Sequence, residues 1–503
     1  MKPAALLMAL LAALPPAARA EEPIRIHPGN PHYLLWRGKP FLVVSSGEHY
    51  GAVLNGDFDW RRYLAALARE GMNYTRIFTG TYRETPGDFG IERNTLAPVR
   101  FIAPWPEQGG KFDLDKWNSA YFERLRAFAA EAERLGIAVE VTLFCSTYGE
   151  KQWSVSPFNP ANNLNGADLR DWKALHTLEN GNLLPLQEKL VRKIVRELNP
   201  YSNVIFEIQN EPWADRTVAG EPVNPYAPLR WPNTADCADE LSLRWQERVA
   251  EWIRSEESAL PNRHLVAWNA CNFRASLRSI LKNADIVNFH YAYPEAVWWN
   301  FEWNVPVSYD ETGFLGTGDA AYRKQAWRFM LAGGGMFNHL DYSFSAGKED
   351  GTGFQPKSPG GGSPALRRQF RILREWLESL PLLAMKPARE LVRHAPGAEA
   401  VAMAKPGEAY AVYFTGEGGS HVLLDVPPGN YRAEWMKPED ASVLGSHKIG
   451  HKQGLLRLPT PAFQPDAALK LVRVPWLALS AARTAQTQQR GSLDPARAGR
   501  RRR

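Results

Sequence analysis

An apolar strand-like run followed by an amphipathic helical stretch, repeated until eight runs have accumulated, is the feature that most constrains how this chain can fold. Residues 40–46 open the series. Residues 57–70 follow as a helix with Trp60, Tyr63, Leu64 and Leu67 on one stripe, Asp57 as its N-cap and Gly71 to close it. Residues 73–78 form the second run, and 115–135 the second helix, with Trp117, Tyr121, Leu125, Phe128 and Ala132 at helical spacing. Further runs are expected at 137–144, 203–208, 264–268, 286–290, 305–309 and 335–340, with helices at 185–198, 237–258, 319–331 and 364–380. Eight such alternations predict a (β/α)8 TIM barrel with long loops. A doubly wound open sheet would carry a nucleotide-binding glycine loop early in the chain. Gly316-Thr317-Gly318 is too short for one, and the Gly-rich segment 351–362 has no Lys-Ser or Lys-Thr after its glycines.

At 503 residues the chain exceeds one ordinary core, so two folded domains are expected. The barrel takes 21–385. Short alternating runs at 390–392, 400–403, 409–414, 421–426, 429–436 and 455–458 predict a small C-terminal β-sandwich over 386–475. Residues 1–20 read as a signal peptide: Lys2, a short apolar core, then Ala18-Arg19-Ala20. That core is shorter than the roughly 20 residues of a membrane span, so a secreted or periplasmic protein with no membrane span after cleavage is expected. The net charge of +6 is concentrated in Arg497, Arg500, Arg501, Arg502 and Arg503, within a basic tail over 476–503 that is expected to be disordered. Nothing there reads bases, so no nucleic-acid partner is expected. Cys145, Cys237 and Cys271 are too few and too irregularly spaced for a disulfide framework or a metal-binding pair, and allow at most one disulfide.

Two runs end in carboxyl groups. Asn203-Val204-Ile205-Phe206-Glu207-Ile208-Gln209-Asn210-Glu211-Pro212 delivers Glu211 to a strand end, and Val305-Pro306-Val307-Ser308-Tyr309-Asp310-Glu311-Thr312-Gly313 delivers Glu311. Barrel enzymes carry catalytic residues at strand C-termini. A pair of carboxyls there suits glycosidic bond hydrolysis, which needs one acid for the leaving oxygen and one carboxylate at the anomeric carbon. Glu207 should lie roughly 13 Å deeper on the same strand, and Asp310 should face the other side of its own.

Asn210-Glu211-Pro212, Glu311-Thr312-Gly313, Arg76 and His290 resemble the motifs of clan A glycoside hydrolases, the cellulase-like (glycoside hydrolase family 5-like) superfamily. The resemblance implies Glu211 as acid/base, Glu311 as nucleophile, a retaining double displacement, Asn210 on a sugar 2-hydroxyl and Arg76 keeping the nucleophile ionised. His290-Tyr291-Ala292-Tyr293 departs from the superfamily's His-x-Tyr pattern; Tyr293 is the tyrosine expected at the nucleophile, with Tyr291 in the outer layer. Strand eight lacks the usual tryptophan and ends instead in Asn338, Asp341 and Tyr342. Glu48, His49, Tyr50 and Tyr148 are candidates for sugar hydroxyls, and loop tryptophans such as Trp105, Trp153, Trp213, Trp298 and Trp299 for stacking on sugar faces. The 153–182 insert, rich in Asn and Trp, is expected to wall the cleft. No cofactor or metal is expected; the partner is a carbohydrate. A catalytically idle glycan-binding protein and a transglycosylase using the same carboxyls are the competing readings.

Overall fold

The structure, a computed structural model, describes residues 21–48 and 50–475, the side chains of Glu48 and Ala219 excepted. The expected leader, His49, the Glu48 side chain and the basic tail therefore lie outside the described residues. Eight strands run parallel: β1 (Val43–Glu48), β2 (Tyr74–Phe78), β3 (Ala138–Cys145), β4 (Val204–Asn210), β5 (Leu265–Asn272), β6 (Ile286–His290), β7 (Val307–Glu311) and β8 (Met336–Leu340). Each pairs with the next, and β8 pairs with β1, which closes the ring into a barrel. Outside it lie α1 (Trp60–Glu70), α2 (Ser119–Arg134), α3 (Leu184–Leu198), α4 (Glu240–Glu257), the one-turn α5 (Pro294–Trp298), α6 (Asp319–Leu331) and α7 (Pro364–Glu378).

Local chemistry sets the helix ends, and in places shifts them from expectation. Asp59, not Asp57, caps α1, accepting from the Arg61 and Arg62 N–H groups at 3.1 and 3.2 Å, because Asp57 is held in a turn by Asn55. Gly71, at φ 80, ends the helix as expected. α4 starts at Glu240, where the Asp239 side chain accepts from Ser242, while Cys237 belongs to an antiparallel hairpin, Thr217–Pro222 with Thr234–Ala238, that extends the sheet beyond β5. Among the described residues no helix joins β5 to β6.

The barrel is sealed at one end and polar within. Ile24, and Leu34 and Trp36 of an N-terminal strand, pack on Val43, Tyr74, Ala138, Ile205, Ile286 and Met336, giving the strand starts an apolar floor. Above it Arg76, Glu140, Glu207, Asn288 and Asp310 are fully buried.

The C-terminal module is a β-sandwich. A six-stranded antiparallel sheet runs Lys386–Pro387, Ala398–Lys405, Ala409–Gly416, Asp466–Arg473, Gly429–Met436, Val443–His451; a three-stranded sheet, Val392–His394, His421–Leu424, Leu456–Pro459, covers one face. The strands at 443–451 and 466–473 had no counterpart in the sequence reading: the first contains Gly445, Ser446, Lys448 and Gly450, and three successive buried residues, Ala467 to Leu469, break alternation in the second. The other face of the large sheet packs on the barrel, with Tyr413 stacked on Trp327 of α6 at 5.3 Å and Arg323 bonded to Asp466 at 2.9 Å in a buried pair.

Candidate active site

Six of the ten non-glycine residues with positive φ among the described residues surround the barrel's C-terminal mouth: Phe89, Tyr148, Glu211, Phe273, Tyr291 and Phe314. Such conformations cost on the order of 1–3 kcal/mol each and persist where surrounding bonds impose them. Glu211 (φ 46) follows β4 directly; its N–H donates to Asn269 Oδ1 at 2.7 Å and its carbonyl accepts from Ser146 Oγ at 2.7 Å. Tyr291 (φ 52) follows β6, its N–H bonded to the Glu311 carbonyl at 3.0 Å. These turns aim side chains over the barrel that a straight strand would carry past it.

The two glutamates meet there. Oxygens of Glu211 and Glu311 lie within 4.8 Å of each other, and the Tyr291 hydroxyl contacts both, at 3.1 and 2.8 Å respectively. Glu211 also accepts from Tyr148 Oη at 2.7 Å and is 2.9 Å from His290 Nδ1. Glu311 accepts from Tyr50 Oη and from Arg76 Nη1 at 3.2 Å. Arg76 reaches down as well, to Glu207 and to Asn210 Oδ1 at 2.7 Å, while Asn210 Nδ2 donates to Tyr148 Oη at 2.8 Å.

Electrostatics distribute the protons unevenly. Burial alone lowers His290, but the carboxylates of Glu311 and Asp310, together with hydrogen bonds to Asp310 and Glu211, hold it well above the ordinary imidazole range. Burial raises Glu211 too, yet the bond and charge of His290 and the Tyr148 and Tyr291 hydroxyls bring it below its ordinary value. At Glu311 burial and the Glu211 charge outweigh His290, Arg76 and Tyr50, so that carboxyl is raised. Glu311 is thus shifted up and Glu211 down, opposite in direction to the expectation that Arg76 lowers the nucleophile while desolvation raises the acid. Glu211-His290-Glu311 and Glu207-His290-Asp310 each bring possible metal ligands within 4.8 Å. Arg76 already supplies a cation between the two sets.

A pocket opens above the pair, lined by Tyr50, Tyr148, Asn210 and Tyr342 among the expected residues. Other expectations are corrected. Tyr293 is 42% exposed, and Tyr291 takes the position at Glu311 because the left-handed turn after His290 folds its ring back. Trp153 is buried in the core under its own short helix; Trp298 lies beneath the Arg389 guanidinium, on the side of the C-terminal module. Asn338 is spent on the barrel wall, accepting from Gly47 N–H and donating to the Asp310 carbonyl. The 153–182 insert contributes no lining residue; Asn159, Asn162, Asn163 and Asn180 bond its own backbone. Asp310 points inward, 3.5 Å from Arg76 Nε and 3.6 Å from His290 Nε2, where the pairing of β6 with β7 slips register. Glu84, Asn269 and Tyr82 had no sequence signal: none is an acid ending an apolar run.

Solved structures share this architecture. A glycoside hydrolase aligns with TM-score 0.59 at 13% identity over 90% of this chain and 97% of its own. A glycoside hydrolase family 5 structure from Bacteroides vulgatus ATCC 8482 aligns with TM-score 0.59 at 13% identity, over 90% of this chain and 94% of its own. Coverage of nine-tenths takes in barrel and β-module together, so the likeness is one of the whole two-part fold. No family model and no curated protein matches the sequence.

Proposed function

We propose that the chain is an exported retaining glycoside hydrolase, cleaving β-glycosidic bonds with Glu311 as nucleophile and Glu211 as acid, then base. The observation that carries this is the carboxyl spacing. Oxygens within 4.8 Å leave no room for the water an inverting enzyme seats between carboxyls roughly 6.5–9.5 Å apart, and suit the roughly 5–5.5 Å of a retaining pair. Reaction needs the proton on Glu211 and the charge on Glu311. The Tyr291 hydroxyl, bonded to both, links the two carboxyls by a short path along which a proton can pass. Arg76 and Tyr50 then stabilise the ionised Glu311, and protonated His290 stabilises Glu211 when it returns to carboxylate. Export rests on the leader pattern in residues 1–20.

The test is a screen of glycans and aryl glycosides with the mature protein, Glu311→Ala and Glu211→Ala. Each variant should lose roughly a thousandfold or more in kcat/KM. Azide should rescue Glu311→Ala with an inverted glycosyl azide and Glu211→Ala with a retained one. Either variant keeping full activity overturns the assignment.

A further inference from the structure

We infer, resting on that reading, that the enzyme removes sugars from the non-reducing end of its substrate, because its pocket is closed beyond the glycone and open only toward the leaving group. The barrel ring divides into two arcs about the glutamates. On one side of Glu311 stand β8, β1 and β2; on the far side of Glu211 stand β5 and β6. Glu311 takes a hydroxyl and a guanidinium, Tyr50 and Arg76, from the first arc, while Glu211 is held between Tyr148 after β3 and His290 of β6, and Tyr291 bonds both carboxyls. The nucleophile must reach the anomeric carbon of the glycone and the acid the departing oxygen. The glycone therefore lies over β8, β1 and β2.

That arc is walled. The loop after β2 and the loop after β8 meet: Gly90 packs so closely on the Lys357 carbonyl that a β-carbon there would lie 2.4 Å from it, and Lys357 Nζ is 3.7 Å from Glu92. Phe89, beside Gly90, turns its ring edge onto Tyr148 at 5.8 Å, carrying the same loop across to the β3 side. Among the apolar residues at this closed end, Glu84, Asn94 and Gln355 supply side chains suited to the hydroxyls of a terminal sugar. Glu84 is buried and hydrogen-bonded by Tyr82 and Asn94, so its carboxyl is fixed in place.

The opposite arc is open and aromatic. Tyr291 contacts Phe314 at 5.4 Å, and Phe314 contacts Trp231 at 4.9 Å; Phe273 leads on to Tyr293 at 6.0 Å. Trp231, Tyr293 and Phe314 are all more than 40% exposed. Exposed flat rings on the leaving-group side match a carbohydrate aglycone that extends outward. A cleft for internal attack would need both ends open; the contact of the β2 and β8 loops closes one of them.

The probes are β-1,4-linked hexaoses of glucose and of mannose labelled at the reducing end, the same hexaoses carrying a 4,6-O-benzylidene acetal on the non-reducing terminal sugar, and aryl β-glycosides of single sugars. Stepwise labelled products, each one residue shorter, with the blocked hexaoses refused by at least a hundredfold, are expected. Turnover of an aryl monoglycoside with no hexaose cut internally supports the same pocket. Labelled di- or trisaccharide among the earliest products, or blocked hexaoses cut as fast as free ones, overturns the inference and leaves the glycosidase reading standing. Inertness toward every probe overturns that reading, and this one with it. Replacing residues 86–93 by a short Gly-Ser link should admit the blocked hexaoses; the wild-type pattern decides the matter if that variant does not fold.

Discussion

Glu84 lines the pocket with a carboxyl that burial pushes up to about 7, against the hydrogen bonds of Asn94 and Tyr82. The unfolded chain releases that proton near 4.5. Between those values the folded protein holds a proton that the unfolded chain has lost, so stability from this group falls as pH rises through the window and is level above it. Glu84→Gln should gain up to about 3 kcal/mol over the parent at pH 8 and almost nothing at pH 4, read by urea unfolding at the two pH values; equal differences at both would refute the role of the buried charge. The residue was illegible in the sequence because it sits in a long loop with no apolar run to place it. Glu211 and Glu311 were legible because strand ends place them. Between Tyr291 and Tyr293 the sequence had no arbiter: a single backbone angle, φ 52 at Tyr291, decides which ring reaches the carboxyls.

Strands were read more securely than the connections between them. A run buried on both faces, such as β3 or β4, shows itself by composition alone, whereas the asparagines of 153–182 carry no sign of whether they face sugar or their own backbone. The hairpin between β4 and α4 had no counterpart in the sequence reading, and its last two residues, Cys237 and Ala238, fell inside an expected helix. It brings Cys237 opposite Cys271 of β5, with the sulfurs 3.1 Å apart. Incubation with oxidised glutathione, which accepts the two electrons and the two thiol protons by disulfide exchange, should join them and pin the hairpin to the barrel. Thiol titration in denaturant should then fall from three groups per chain to one; three remaining would show that the pair does not close.

At the scale of the molecule, the change in texture beyond residue 385 announced a second architecture, but not how it would dock. Tyr413, Val401, Met403 and Ala468 join the same buried cluster as the barrel helices. Arg323 of α6 is the buried ionic link, bonded to Asp466, which also accepts from Tyr413, while Arg328 pairs with Glu399 at the rim. Arg323→Ala leaves Asp466 buried without its cation and should cost about 3–5 kcal/mol, lowering the melting temperature while kcat per folded molecule is kept. A melting temperature unchanged from the parent would mean that the module is held without the buried pair. The contact of Gly90 with Lys357 governs traffic through the whole assembly. In the double displacement proposed above, the shortened chain must leave by the door through which water then enters, and the terminal sugar, freed from Glu311 last, follows it out. Each turnover then ends in full release, and the polymer is trimmed by repeated visits instead of one continuous slide.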